Sequence, residues 1–160
     1  SISAQHGHQI TNLMPTNLYG PNDFFSESDS HVIPGMMYRM YSSMKQKESE
    51  FSIWGSGKPL REFLYVDDLA KAILHIIENK ITEDLINVGS GEEISIHDLG
   101  LLIKKVIGYE GDIVFDSSKP DGNPRKLLDS TLINSLGWNS SIKLEEGLSN
   151  TFSWFKKNII

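Results

Sequence analysis

The sequence predicts an α/β protein, one compact unit in which short strands alternate with amphipathic helices. Three observations carry that expectation. Strand-like runs rich in branched and aromatic residues lie at Gln9–Met14, Phe51–Trp54, Leu60–Val66, Asp84–Val88 and Asp112–Phe115. Between them, apolar residues recur at helical spacing, as in Leu99, Leu102, Ile103, Val106 and Ile107. Turn-rich segments punctuate the two. One of them, Pro15–Pro21, leaves a strand on the side where α/β sheets gather their ligands.

Composition bounds the rest. With 160 residues, 39% apolar and 22% charged, the chain has the size and make-up of an ordinary globular domain. A net charge of −6 argues against a broad nucleic-acid or anionic-membrane surface, so neither is expected as a partner. No apolar run approaches the roughly 20 residues that span a bilayer, and the start lacks the charged-then-apolar pattern of a signal peptide. The chain has no cysteine, which removes disulfides, thiolate metal sites and cysteine nucleophiles from it. A cytoplasmic location is the expectation, and no metal site is expected. Ser1–His8 runs straight into a strand without an initiator Met, as though cut from a longer chain.

In chain order, the strand at Gln9–Met14 leads into the exit loop Pro15–Pro21 and then the polar, acidic loop Asn22–Asp29. Ser30 is placed to cap a helix in which Pro34 is tolerated in the first turn. Ile33, Met36, Met37, Met40 and Met44 form its core stripe, and Arg39 lies two turns in. Lys45–Glu50 reads as a solvated turn. Asp67 and Asp68 open the helix that ends at Asn79, with Leu69, Ile73, Ile76 and Ile77 on its inner side; His75 faces elsewhere and has no assigned role. Gly89-Ser90-Gly91 is a tight turn, too short for a dinucleotide fingerprint. Ser95 caps the next helix, with Asp98 at the capping-box position and Gly108 as the stop. Asp116–Lys126 is a polar loop dense in proline and charge, Ser130–Leu136 a short helix, and Leu144, Leu148, Phe152 and Phe155 mark the closing helix.

The stretch Trp54–Asp68 holds most of the functional information. An aromatic ring, a Gly-Ser-Gly-Lys-Pro turn and Arg61 follow one another closely. The ring can pack on a base or sugar, and the guanidinium can grip phosphate oxygens in two-pronged fashion. A Trp before a glycine turn also serves as a core anchor, and an Arg in a strand also pairs with a carboxylate.

PTNLYGP at Pro15–Pro21, SHVIP at Ser30–Pro34, WGSGKPLREFLYVDD at Trp54–Asp68, INVGSG at Ile86–Gly91, GYEG at Gly108–Gly111 and SKPDGNPRKL at Ser118–Leu127 occur in one order. Together they closely resemble the GDP-L-fucose synthase family of extended short-chain dehydrogenases/reductases, in the NAD-dependent epimerase/dehydratase group. The resemblance implies the C-terminal part of an extended Rossmann-like fold, interleaved over residues 1–160 with the smaller substrate-binding domain. It also implies a full enzyme, a homodimer, that converts GDP-4-keto-6-deoxymannose to GDP-L-fucose by 3,5-epimerisation and NADPH-dependent 4-reduction.

By the same resemblance Pro15, Thr16, Asn17 and Leu18 line the nicotinamide side of an NADP(H) pocket. His31 is the proton donor of epimerisation and lies near the cofactor. Arg39, Trp54 and Arg61 bind the GDP-sugar substrate, with Asp121 as a further candidate. The family's glycine fingerprint and catalytic cysteine have no counterpart here, and no Tyr-x-x-x-Lys pair precedes the first strand. The expectation is a C-terminal half whose N-terminal cofactor half is missing, inactive alone, with Ser1–His8 as the tail of the preceding helix. The alternative is a non-catalytic nucleotide-sugar-binding or regulatory module of the same fold.

Overall fold

In the computed structural model, which describes residues 5–160, strands pair mostly in parallel and helices pack on both sides of them. Residues 5 and 6 are helical; the rest of the helix tail expected over Ser1–His8 lies in part outside the described residues. Strand β1 (Asn12–Pro15) and strand β5 (Leu85–Val88) form one parallel pair. Strand β3 (Glu50–Trp54) and strand β7 (Asp112–Asp116) form another. Between them runs β4 (Leu60–Tyr65), which pairs in parallel with β2 (Asn17–Tyr19) and antiparallel with β6 (Glu93–Ser95). The two-residue strand β8 (Arg125–Lys126) joins it at Leu60 and Arg61.

Strand alternation makes β4 the partition between two cores. Phe63 and Tyr65 enter the larger core, shared with the helices α1 (Val32–Gln46), α3 (Ile96–Ile107) and α5 (Leu144–Asn158). Leu64 points the other way, into the smaller core beneath α2 (Val66–Glu78) and the short helix α4 (Thr131–Ser135). Arg61 therefore shares a face with Phe63, and Glu62 shares one with Leu64. The methionine stripe behaves as its spacing requires: Met36, Met37 and Met40 are buried with Ile33 in the larger core. Helix α3 matches its punctuation, since the Ser95 hydroxyl accepts from the Asp98 N–H at 3.0 Å and Gly108 ends it in the left-handed region.

Several expectations need correction. The exit loop contains a strand, β2, because Asn17–Tyr19 finds an open edge on β4. Ser30 does not cap α1; His31 holds the N-cap position without a side-chain cap bond, and the Ser30 hydroxyl instead closes a turn on Ser26. Helix α1 continues to Gln46, and only Lys47 turns the chain, in a left-handed conformation. The inner side of α2 runs Asp68, Ala72, Ile76, so Ile73 and Ile77 stand 40% and 65% exposed. His75 has a structural partner, its Nε2 lying 2.9 Å from the Leu136 carbonyl at the end of α4.

Two buried carboxylates hold the partition in place. Asp68, 1% exposed, accepts from the Ser141 and Ile142 N–H groups, both at 2.8 Å, from the Ser141 hydroxyl at 2.7 Å, and from Lys71 at 3.0 Å. Burial works to raise its pKa, but these hydrogen bonds outweigh burial and hold the carboxyl below the ordinary aspartate value. The linkage sign follows: Asp68 contributes stability above the unfolded-state value, and the contribution fades as pH falls through the lower folded-state value. Asp68→Asn should cost about 1.5–3 kcal/mol at pH 7, the worth of hydrogen bonds to a charged group. Urea unfolding at pH 7 and again near pH 3 should show the gap between wild type and variant closing in acid.

Candidate functional site

Two cavities meet at the N-terminus of α1. The larger, about 1000 Å³, is lined by Thr16, Asn17 and Leu18 on one side and by His31 and Asp67 on others. The smaller, about 250 Å³, is lined by Arg39, Trp54, Arg61 and Asp121 together with His31. His31 is thus part of the wall of both. Its side chain is 87% exposed, with Nδ1 4.0 Å from an Asp23 carboxylate oxygen. An imidazole so placed can exchange protons with whatever occupies either cavity.

The exit loop is built from β4 outward. The Thr16 hydroxyl and the Asn17 amide donate to the Glu62 carbonyl at 3.3 and 2.8 Å, and the Thr16 N–H donates to the Val88 carbonyl at 3.0 Å. Both side chains are committed to the fold, and Leu18, which also lines the larger cavity, packs against the smaller core. Pro15 closes β1 opposite Val88 and stands apart from the cavity wall.

Cationic groups gather around the smaller cavity. The Arg39 guanidinium lies 5.4 Å from the Trp54 ring centre and 5.6 Å from that of Phe51. Burial lowers its pKa and Glu27 opposes that shift, yet an arginine remains cationic throughout the accessible range. Lys119 approaches the Trp54 ring at 5.9 Å. Trp54 itself is 60% exposed, so it is no core anchor. Arg61 donates through Nη1 to the Leu60 and Asn123 carbonyls, each at 2.7 Å. Among the described residues neither Arg39 nor Arg61 forms a carboxylate pair, which leaves positive charge facing the cavity.

Asp121 sits on the glycine turn. Its carboxylate accepts from the Ser56 N–H at 2.8 Å and from the Ser56 hydroxyl at 2.6 Å. The Ser56 hydroxyl and then its N–H lower the Asp121 pKa. The turn is tight by necessity: Gly57 has φ +75° and a Cβ there would strike the Phe115 ring.

Sequence reasoning missed Glu62. It is fully buried, and its carboxylate accepts from the Gly91 N–H at 2.8 Å and the Leu128 N–H at 3.1 Å. The available signal was a carboxylate within the strand-like run Leu60–Val66, immediately ahead of Phe63.

The NAD dependent epimerase/dehydratase family matches residues 1–89. The chain belongs to that family. Among similar relatives, a GDP-L-fucose synthase of Escherichia coli (strain K12) is 47% identical over 167 aligned positions, covering 99% of this chain and 52% of its own. The probable GDP-L-fucose synthase 1 of Oryza sativa subsp. japonica is 46% identical, covering 98% and 48%. A GDP-L-fucose synthetase from Naegleria fowleri, solved with NADP, superposes with TM-score 0.88 at 32% identity, covering 98% of this chain and 50% of that one. The epimerase/dehydratase fold expected from the motifs, Rossmann-like and of the extended short-chain dehydrogenase/reductase kind, is the fold observed. The chain spans about half the length of these relatives.

In this family member the glycine turn should tolerate no side chain at Gly57. Gly57→Ala combines an unfavourable φ with a clash on Phe115, and backbone strain of this kind costs about 1–3 kcal/mol. Thermal unfolding followed by circular dichroism measures the loss; an unchanged midpoint would mean the turn is slack.

Proposed function

We propose that the chain provides the substrate-binding half of a GDP-L-fucose synthase, which converts GDP-4-keto-6-deoxymannose to GDP-L-fucose. One observation carries the reading: His31 lines both the cavity beside Thr16–Leu18 and the cavity ringed by Arg39, Trp54 and Arg61. That arrangement supports a nucleotide sugar anchored in the smaller cavity with its keto-sugar reaching past His31 into the larger one. The resemblance to GDP-L-fucose synthases supports the same assignment.

Each residue type suits its part. A diphosphate needs cationic donors, which Arg39 and Arg61 supply, and Trp54 offers a flat exposed ring to the nucleotide. Removing a proton beside a ketone leaves an enolate, and reprotonation on the opposite face needs a positioned acid. His31 is that acid in this proposal. Asp121 belongs to the cavity mouth. Anchoring the distant nucleotide holds the reacting sugar in register.

NADP(H) belongs to the proposal as the reductant. Thr16, Asn17 and Leu18 line a cavity roomy enough for its flat, weakly polar ring. When bound, NADPH supplies hydride for the 4-ketone. Pro15 contributes from behind, by fixing the end of β1. The division of residues 1–160 between the end of a Rossmann-like domain and a substrate domain, a homodimer and a cytoplasmic setting are likewise parts of this reading.

Titration calorimetry of the 160-residue chain with GDP tests the anchor. Arg61→Ala should weaken binding about tenfold to a hundredfold, the loss of a charge-assisted contact. Equal affinity would remove Arg61 from the site.

The acid role has its own test, with the cofactor-binding half of a GDP-L-fucose synthase supplied by fusion. His31→Gln should slow deuterium wash-in at the two carbons flanking the ketone by about 10²–10⁴-fold, the range of a general acid. GDP affinity should stay as it was. Normal wash-in would move the acid elsewhere.

A further inference from the structure

The imidazole of His31 has no work to do for its own helix. His31 holds the N-cap position of α1 yet makes no side-chain cap bond. The position is a poor one for an acid, because a helix N-terminus disfavours a cation. Arg39 and Arg61, which share the wall of the smaller cavity with it, add positive charge of their own. An imidazole that must carry a proton there needs a carboxylate beside it.

Asp23 supplies one. Among the described residues it alone brings a carboxylate oxygen within 4.0 Å of the His31 ring, on the Nδ1 side. Asp67 lines the same larger cavity, and Glu27 and Asp121 line the smaller one, but none of the three comes so close. The Asp23 side chain is 19% exposed, so it is the fixed member of the pair and the imidazole the free one. Its Oδ1, the atom nearest the ring, already accepts from the Phe24 N–H at 2.8 Å. A carboxylate oxygen has two lone pairs, which leaves room for a second donor.

The loop is built to present that oxygen. Asn22 turns the chain in the left-handed region, at φ +66°, which Asn tolerates better than most residues. Two residues past Asp23, Phe25 is buried in the larger core, its ring 4.9 Å from that of Phe155 and 5.9 Å from that of Trp154. The Ser30 hydroxyl donates to the Ser26 carbonyl at 3.2 Å and closes the segment against α1. Held on both sides, Asp23 faces the larger cavity beside His31. Shortening the present spacing to a hydrogen bond takes a movement of about 1 Å, which the exposed imidazole can make by rotating about its own side-chain bonds.

We propose that Asp23 positions His31: its carboxylate accepts from Nδ1–H, fixes the tautomer and aims Nε2 at the keto-sugar. The inference rests on the acid role given to His31 above. In the reprotonation step the Nε2–H bond breaks and its proton forms the new C–H bond on the enolate carbon. The ring is left neutral, with Nδ1–H still on Asp23, and Nε2 recovers a proton from water. The carboxylate stabilises the imidazolium before the transfer and holds the neutral ring in register after it. Asp23 is thus a positioning residue that acts through His31.

The imidazole nitrogen NMR spectrum of the 160-residue chain reads the tautomer. The His31 signals, identified by their loss in His31→Gln, should show the neutral ring protonated on Nδ1 in the wild type and on Nε2 in Asp23→Ala. The same tautomer in both would overturn the pairing. In the fusion with a cofactor-binding half, Asp23→Asn should slow deuterium wash-in about tenfold to a hundredfold, as when the carboxylate behind a metal-bound histidine is removed. GDP affinity should hold, which separates this loss from a folding defect. Placed on top of His31→Gln, Asp23→Asn should slow wash-in no further; a second loss of the same size would overturn the proposal, with Asp23 acting elsewhere. Normal wash-in by Asp23→Asn beside a slow His31→Gln would also overturn it and leave the acid standing. Normal wash-in by His31→Gln would overturn the acid role and the positioning with it.

Discussion

A carboxylate buried in the middle of a strand is costly unless its oxygens are satisfied, and Glu62 is buried completely. Its two oxygens take one backbone N–H each from separate loops, Gly91 after β5 and Leu128 after β8. Its own carbonyl takes the side chains of Thr16 and Asn17 from a third. One residue therefore fixes the exit loop beside the larger cavity, the turn that follows β5, and the chain just after β8. Gly89 leaves room for it, since a Cβ at that position would strike the Glu62 carboxylate. Strand alternation transmits the constraint: with Glu62 locked inward, Arg61 has no choice but to face the smaller cavity.

The second constraint is the placement of α1. Its stripe of Ile33, Met36, Met37 and Met40 sits in the larger core, which fixes the helix about its own axis. With that rotation set, His31 stands at the mouth of both cavities and Arg39, two turns on, reaches the Trp54 ring. A helix packed by long unbranched methionines fills irregular space well. On the same helix Tyr38 and Tyr41 meet the Phe155 ring of α5, which lies 4.9 Å from that of Phe25 between ring centres. Core packing and site geometry are one problem for this helix.

Elements with local punctuation were legible. Helix α3 carries its cap, its stripe and its stop within its own residues, and all appear as read. Strands β2, β6 and β8 were not legible, because at two or three residues each they exist only where a neighbour offers an edge. The inner side of α2 was misread for a related reason. Periodicity registers which residues are apolar, and Ile73 and Ile77 are, yet the surface beneath the helix accommodates Ala72 and Asp68 instead. The site residues followed the same division. Arg39, Trp54, Arg61 and His31 line one cavity. The partners that hold them, Glu62, Ser56 and the Asn123 carbonyl, are distant in sequence and show no pattern of their own.

That division explains why the Trp54–Asp68 stretch concentrates so much. Its first part is a glycine turn whose backbone reaches conformations rarely open to other residues, so the β7–β8 loop can pack on it through Asp121, which accepts from Ser56. Its middle alternates a cavity-facing arginine with a buried carboxylate and then with side chains of the two cores. Its last residue, Asp68, ties the start of α2 to Ser141 and Ile142 ahead of α5. These fifteen consecutive residues thus meet both cores, both cavities and the β7–β8 loop. A substitution anywhere along them acts on the site through the fold as much as through contact, and the two effects separate only when binding and stability are measured on the same variant.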